Sequence, residues 1–351
     1  MRCPGPSGHD VNVVVARRPT EEVEDGGGAG GEGGESAEEE RRRREDKKKL
    51  VVYFGGDVQD VPEAMREAGA EQWLKHNVCR VVSKLAAKHG AACVGVLPDQ
   101  MAEGTFAVFG AFVQSLDAIG CPNYYTSAGR AVRELDGVLH KVAGELSLRE
   151  MGVGVEHAAD EDTDLVLVGF SKGCVVVNQM LTEVSNADHP EAEWVRRWFL
   201  VRVREVHLVD GGATRVTAEP GPSYPSGLTG GGLGRRWLLG PLRAGEDAQG
   251  DFPALPADDP GLVDVAGPKT RHLRVHLSPY QFERKPEVNR FLDGIARAGF
   301  DICKVESSRR EDAPLPPECK VSICSSYYAG REPSFSDHLR LSTKYLPIAP
   351  P

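Results

Sequence analysis

The stretch DLVLVGFSKGCVVVNQMLTEV, residues 164–184, decides the fold. Its first part, Asp164 to Phe170, is a bare apolar run rich in β-branched side chains, which reads as a parallel strand buried on both faces. Cys174 to Val184 reads as a helix. Between them lies Gly169-Phe170-Ser171-Lys172-Gly173, a G-x-S-x-G pattern in the strand–turn–helix context that a nucleophile elbow requires. A turn this tight leaves no room for a side chain at 169 or 173 and holds the serine in a strained conformation. The hydroxyl then stands at the carboxyl end of the sheet beside a helix N-terminus, which favours developing negative charge. Ser171 is therefore the expected nucleophile, and an ordinary glycine-bearing strand–helix turn is the competing reading.

Working outward, the same alternation continues. Lys49–Phe54 reads as a strand ended by Gly55-Gly56-Asp57, and 73–89 as a helix stopped at Gly90. A strand at 91–97, a helix at 128–148, strands at 201–209 and 273–277, a helix at 287–298 and a strand at 301–305 follow. A short helix or irregular segment closes the series around His338–Tyr345. Strands and helices alternating at these lengths imply right-handed crossovers. The expected fold is α/β, an α/β-hydrolase-like, mostly parallel sheet with helices on both faces. One such domain is expected over 49–351, interrupted by a Gly/Pro-rich insertion at about 213–268. Residues 1–48 read as a disordered, low-complexity tail, because a glycine run followed by opposed Glu, Arg and Lys blocks cannot bury enough apolar surface. Within it, Asn12–Ala16 gives only a short amphipathic hint.

Composition narrows the function classes. The 351 residues are 40% hydrophobic and 27% charged, enough for a core that needs no disulfide or metal. The formal net charge of −10 argues against a nucleic-acid face and against electrostatic docking on anionic membranes. No apolar run reaches the length of a membrane span. The eight cysteines form no C-x-x-C pair or zinc-like cluster, and isolated Cys residues suit a reducing compartment. No metal and no cofactor is expected.

The rest of the site follows from chain order. Asp210 ends the strand at 201–209 and precedes Gly211-Gly212, so its carboxylate can emerge at the same sheet edge as Ser171. His338, in Ser336-Asp337-His338-Leu339, is the histidine that follows the last expected strand and is the candidate general base. His207, His272 and His276 lie in or beside strands and read as packing or surface residues. The backbone amides of Lys172 and Gly56 are the expected oxyanion donors. The Lys172 side chain reads as reaching solvent, with help to an acidic substrate as the alternative.

Five patches, Gly-Gly-Asp-Val-Gln (55–59), Gly-Phe-Ser-Lys-Gly-Cys-Val-Val-Val-Asn-Gln (169–179), Leu-Val-Asp-Gly-Gly (208–212), Ser-Pro-Tyr-Gln (278–281) and Asp-His-Leu-Arg (337–340), occur in one order. Together they resemble the eukaryotic family of the human chromosome 2 open reading frame 69 protein, an α/β-hydrolase-like group associated with mitochondria. The resemblance implies that fold, supports Ser171, Asp210 and His338 as a triad, and implies a mitochondrial location, with the cytoplasm as the alternative. It supplies no substrate. Two functions remain in view. One is a serine hydrolase acting on an ester, thioester or amide of an unknown small-molecule or acyl substrate. The other is an inactive member of the fold that binds a protein partner.

Overall fold

A computed structural model describes residues 2–4, 10–17, 49–122, 129–147, 158–160, 163–185, 192–211, 272–282, 302–305, 321–324 and 332–344. Among them nine strands form one sheet. These are β1 (Arg2–Pro4), β2 (Asp10–Ala16), β3 (Lys49–Phe54), β4 (Ala92–Val96), β7 (Asp164–Phe170), β8 (Val203–Val209), β9 (His272–His276), β10 (Ile302–Val305) and β11 (Val321–Cys324). The spatial order is β1-β2-β4-β3-β7-β8-β9-β11-β10. β2 runs antiparallel to both neighbours, and every other pairing is parallel. A two-stranded ribbon of β5 (Gln100–Ala102) and β6 (Phe106–Val108) stands beside it.

The alternation of strand side chains builds two cores. Leu50, Val52 and Phe54 of β3 and Leu165 and Leu167 of β7 face one side. There they meet the buried stripes of α3 (Arg130–Ser147), α4 (Cys174–Ser185) and α5 (Ala192–Arg202). Val51, Tyr53, Val166, Val168 and Phe170 face the other side. That side is covered by α2 (Val78–His89), through Val78, Val81, Val82 and Leu85, and by Leu339 and Leu341 of α7 (Phe335–Lys344). Helices on both faces explain why the central strands are apolar without interruption. The expected mixed α/β architecture with a mostly parallel sheet is present.

Several boundaries differ from expectation. The stretch expected as one helix over 73–89 is a 3-10 turn, Glu71–His76, followed by α2, because the Asn77 side chain accepts from Arg80 N at 2.9 Å and caps a new start. The strand expected at 201–209 begins at Val203, since Ala192–Arg202 is α5. β5, β6, β11, α5, the short α1 (Pro62–Glu67) and α6 (Pro279–Phe282) were not anticipated.

The expected disordered tail over 1–48 needs correction at its start. Val13, Val14, Val15 and Ala16 pair with Val96, Gly95, Val94 and Cys93, which places β2 in the sheet. Val11 and Val13 are buried in the first core. The apolar side chains at 11, 13 and 15 obtain their burial from β4, a partner far along the chain. Residues 18–48, the insertion at 213–268 and the helix expected at 287–298 lie outside the described residues.

Register sets up the site. Phe54 lies opposite Gly169, Phe170 opposite Val209, and Val209 opposite His276. The carboxyl ends of β3, β7, β8 and β9 therefore finish side by side, where open α/β sheets bind ligands. The loops leaving them begin with Gly55-Gly56-Asp57, Ser171, Asp210 and Leu277-Ser278.

Candidate active site

Ser171 leaves β7 with a positive φ of 49° and is followed at once by the first turn of helix. A Cβ on Gly173 would come within 2.1 Å of the Phe54 carbonyl oxygen, and one on Gly169 within 2.8 Å of Cys174 Cα. Both contacts are with backbone, so neither can yield. The glycines of the motif are thus there to let the turn lie against β3 and the next helix. Two of the loops opening beside it are equally strained, for Val58 has φ 58° and Asp210 φ 48°.

Asp210 is fully buried at the end of β8. Its carboxylate accepts from the Ser278 backbone N–H at 2.7 Å, from the Ser278 hydroxyl in a very short bond, and from His338 Nδ1 at 2.7 Å. Its own N–H donates to the His276 carbonyl. Three bonds to the β9 exit loop and α7 fix the carboxylate, and a fourth ties the Asp210 backbone to β9. Because Asp210 accepts at Nδ1, the neutral imidazole holds its proton there and carries its lone pair on Nε2.

His338 lies in the first turn of α7, is 2% exposed and sits among aromatic rings. The Phe170 centroid is 4.8 Å away, Tyr280 5.0 Å and Phe335 5.6 Å. Phe335 is itself held edge-on by Trp73 at 5.1 Å. Phe170 neighbours Ser171, so the ring is brought against the serine turn. Asp210 and His338 are therefore joined directly, and both stand beside the Ser171 turn. Among the described residues the Ser171 hydroxyl makes no hydrogen bond to His338.

Gly56 backs onto the serine: a Cβ there would lie 2.6 Å from Ser171 Cβ. Its N–H, however, donates to Gln59 Oε1 at 3.0 Å, an oxygen that also accepts from the Tyr53 hydroxyl at 2.7 Å. Gln59 Nε2 in turn donates to the His76 carbonyl. The Gly56 amide is engaged, which departs from its expected role as a free donor. Val58 N and Gln59 N are engaged as well, by Thr105 O and Gly56 O. The Asp57 N–H is the one amide of 56–59 with no partner among the described residues. Burial pushes the Asp57 carboxyl up from its ordinary value, while the Ala107 N–H, Lys172 and His338 pull it back.

The Lys172 side chain does not reach solvent as expected. It is 8% exposed, and its ammonium donates to Cys121 Sγ at 2.9 Å. His207, His272 and His276 are all buried in the sheet. His207 and His276 bond each other at 3.1 Å, and His207 bonds Glu205 at 3.2 Å, so they are packing residues and not surface ones. Sequence reasoning missed Ser278, Gln59 and Tyr280 as parts of the site. Their signal was position, since each lies within five residues of the end of a strand flanking β7 or β8. No group of three or more His, Cys, Asp or Glu among the described residues could hold a metal ion. No described helix is long and apolar enough to cross a membrane.

Sheet, turn and buried Asp–His pair together define an α/β protein with its candidate site at the carboxyl edge of a mostly parallel sheet. The sequence matches the C2orf69 family model over residues 2–160 and 152–219, more than half of the chain, and the protein belongs to that family. The mitochondrial protein C2orf69 homolog of Danio rerio is 29% identical over 167 residues, 46% of this chain and 48% of that protein. The match thus spans about half the length of the relative. Among solved structures, a lipase-esterase related protein from Clostridium acetobutylicum ATCC 824 aligns over 95% of both chains at 9% identity, with a TM-score of 0.29. A score that low carries no argument.

Proposed function

We propose that this protein is a serine hydrolase of the α/β-hydrolase fold, cleaving an ester, thioester or amide. Ser171 attacks the carbonyl carbon, His338 Nε2 takes the serine proton and returns it to the leaving group, and Asp210 holds the imidazole in the required tautomer. The observation that carries this reading is the buried 2.7 Å bond between His338 Nδ1 and Asp210, beside a serine at φ 49°. Three features support the fold assignment: the inverted positions of β4 and β3, the single reversed strand β2, and the strand–turn–helix around Ser171. The amide of Lys172 is one oxyanion donor. The second is the Asp57 amide, which has no partner among the described residues, and Gly56 joins it only if Gln59 releases its N–H. The Danio rerio relative is named a mitochondrial protein, and we place this chain in the same compartment on that basis.

A second reading, an inactive fold member that binds a protein partner, draws on one observation. The Ser171 hydroxyl is not bonded to His338. In substrate-free hydrolases this bond is often long and tightens on binding, so the catalytic reading stands first. Labelling by a fluorophosphonate probe separates the two. The hydrolase reading expects wild type to label, Ser171→Ala to lose labelling entirely and His338→Ala to lose most of it. Folded wild type that stays unlabelled, while a control hydrolase reacts, would favour the binding protein.

A further inference from the structure

The geometry points to a modification site between Lys172 and Cys121: an oxidative cross-link joining the lysine nitrogen to the cysteine sulfur beside the Ser171 turn. Lys172 is 8% exposed as a residue, and the Cys121 sulfur at 2.9 Å is the acceptor its ammonium finds among the described residues. A lysine buried against a thiol, with no carboxylate in ion-pair contact among the described residues, is an unusual pairing. Cys121 itself is partly exposed and free, so a small oxidant can reach it.

The sulfur is held in place. Asp117 Oδ1 accepts from Cys121 N at 2.7 Å and from Ile119 N at 3.0 Å. Asp117 N donates to the Cys121 carbonyl at 2.9 Å, and Leu116 bridges Pro122. The backbone that carries Lys172 is held too, since it belongs to the turn whose Gly173 lies against β3, and its ammonium meets the sulfur at 2.9 Å. Two fixed ends already in contact need little further ordering to react. The nearby Cys174 is different: it is buried, its thiol bonds Gly169 O at 3.0 Å, and burial raises its pKa. It is shielded where Cys121 is not.

Hydrogen peroxide supplies the oxidant. The Cys121 sulfur attacks one peroxide oxygen, the O–O bond breaks, and a sulfenic acid and one water result. Lys172, having given its ammonium proton to water, attacks that sulfur. The S–N bond forms, the S–O bond breaks, and the hydroxyl leaves as a second water with a hydrogen of the amine. Sulfur is oxidised by two electrons and peroxide is reduced by two. A thiol attacking the sulfur of the cross-link reverses it.

Two consequences follow. The bond removes the cation next to Ser171 and ties the 116–122 loop to the serine turn. The second consequence rests on the proposed hydrolase function, because it expects oxidation to lower Ser171 reactivity. The test treats full-length protein with hydrogen peroxide, digests it without reductant and maps the peptides by mass spectrometry. The expected product is a Cys121–Lys172 peptide pair lighter by two hydrogens than its parts, lost on adding dithiothreitol and absent from Cys121→Ser. Lys172→Arg keeps the cation without the amine and is expected to leave a sulfenic acid that dimedone traps. Wild type in which Cys121 is trapped by dimedone yet never linked overturns the inference, as does a Cys121 that peroxide leaves untouched. Fluorophosphonate labelling is run in parallel and should fall with cross-linking in wild type but not in Cys121→Ser. If wild type does not label before oxidation, the hydrolase reading fails and the peptide map still decides the cross-link.

Discussion

Val58, Ser171 and Asp210 are three of the four non-glycine residues with positive φ among the described residues, and they stand on neighbouring strand exits. Each such conformation costs about 1–3 kcal/mol and persists because its surroundings over-determine it. Around Asp210 those surroundings are Ser278, His338 and the His276 carbonyl. Asp210→Asn should keep the packing but favour the wrong histidine tautomer, lowering the Ser171 labelling rate by about 10⁴-fold if it follows the serine-protease pattern. A fall of only a few-fold would remove Asp210 from the proposed triad. Ser278→Ala removes the shortest of the bonds to the carboxylate and should slow labelling less than Asp210→Asn, at a stability cost of about 1–3 kcal/mol. Gly173 tests the turn alone. Gly173→Ala sets a methyl group against the Phe54 carbonyl and should cost about 3 kcal/mol or prevent folding, read as soluble yield and urea midpoint.

At the scale of elements, α3 and α4 are joined by one buried carboxylate. Glu183 of α4 accepts from Ala131 N at 3.0 Å and Val132 N at 3.1 Å, the second and third amides of α3, and from Gln179 Nε2 at 2.9 Å. It serves as a helix cap supplied by another helix. Glu183→Ala leaves two buried amides unpaired and should lower the urea-derived stability by about 2–4 kcal/mol. Asn77→Ala, which removes the exposed cap of α2, should cost about 1 kcal/mol. Equal losses would show that the shared cap adds nothing beyond a local one. The contrast also explains what the sequence revealed. β3, β7 and the turn at Ser171 were legible because their cues are local: continuous apolar runs, and glycines next to a serine. Asp210 and His338 were legible from strand ends and chain order. Glu183, Gln59 and Ser278 were not: Ser278 meets Asp210 through the pairing of β8 with β9, Glu183 meets the amides of α3 through helix packing, and Gln59 folds back on Gly56 and Tyr53 only in the particular turn that leaves β3. β2 failed for the same reason as Ser278. Its alternating valines are too few to announce a strand until β4 lies beside them.

For the whole molecule, the face of the sheet under α2 and α7 carries an unusual load of buried titratable groups. Glu205, His207, His272, Arg274 and His276 are all buried there, with Glu205 bonded to Lys49 at 3.1 Å. Burial pushes His207 below its ordinary pKa and His276 well below it. Burial likewise lowers His76 to about 4 and His89 to about 3. The unfolded chain takes up these protons below about pH 6.5, whereas the folded chain refuses them, so stability rises with pH through that range. Glu183 works in the opposite sense. Burial raises it to about 7, so between about 4.5 and 7 the folded chain binds the extra proton and stability falls as pH rises. Burial also raises Asp57 and Asp60, which act in the same sense as Glu183 from their lower ordinary value upward, and four histidines against these three carboxyls leave the histidines dominant below pH 6.5. Glu205 does not disturb this window. Burial would raise its pKa, but the His207 bond and Lys49 outweigh it, and its contribution is lost only below its unfolded value of about 4.5. The expected result is a urea midpoint that drops steeply from pH 7 to pH 5, by about 1.4 kcal/mol per pH unit for each net proton. His276→Gln, which keeps a polar group but cannot charge, should flatten that slope. A midpoint that rises on acidification, or a slope that His276→Gln leaves unchanged, would mean that these histidines do not control acid stability.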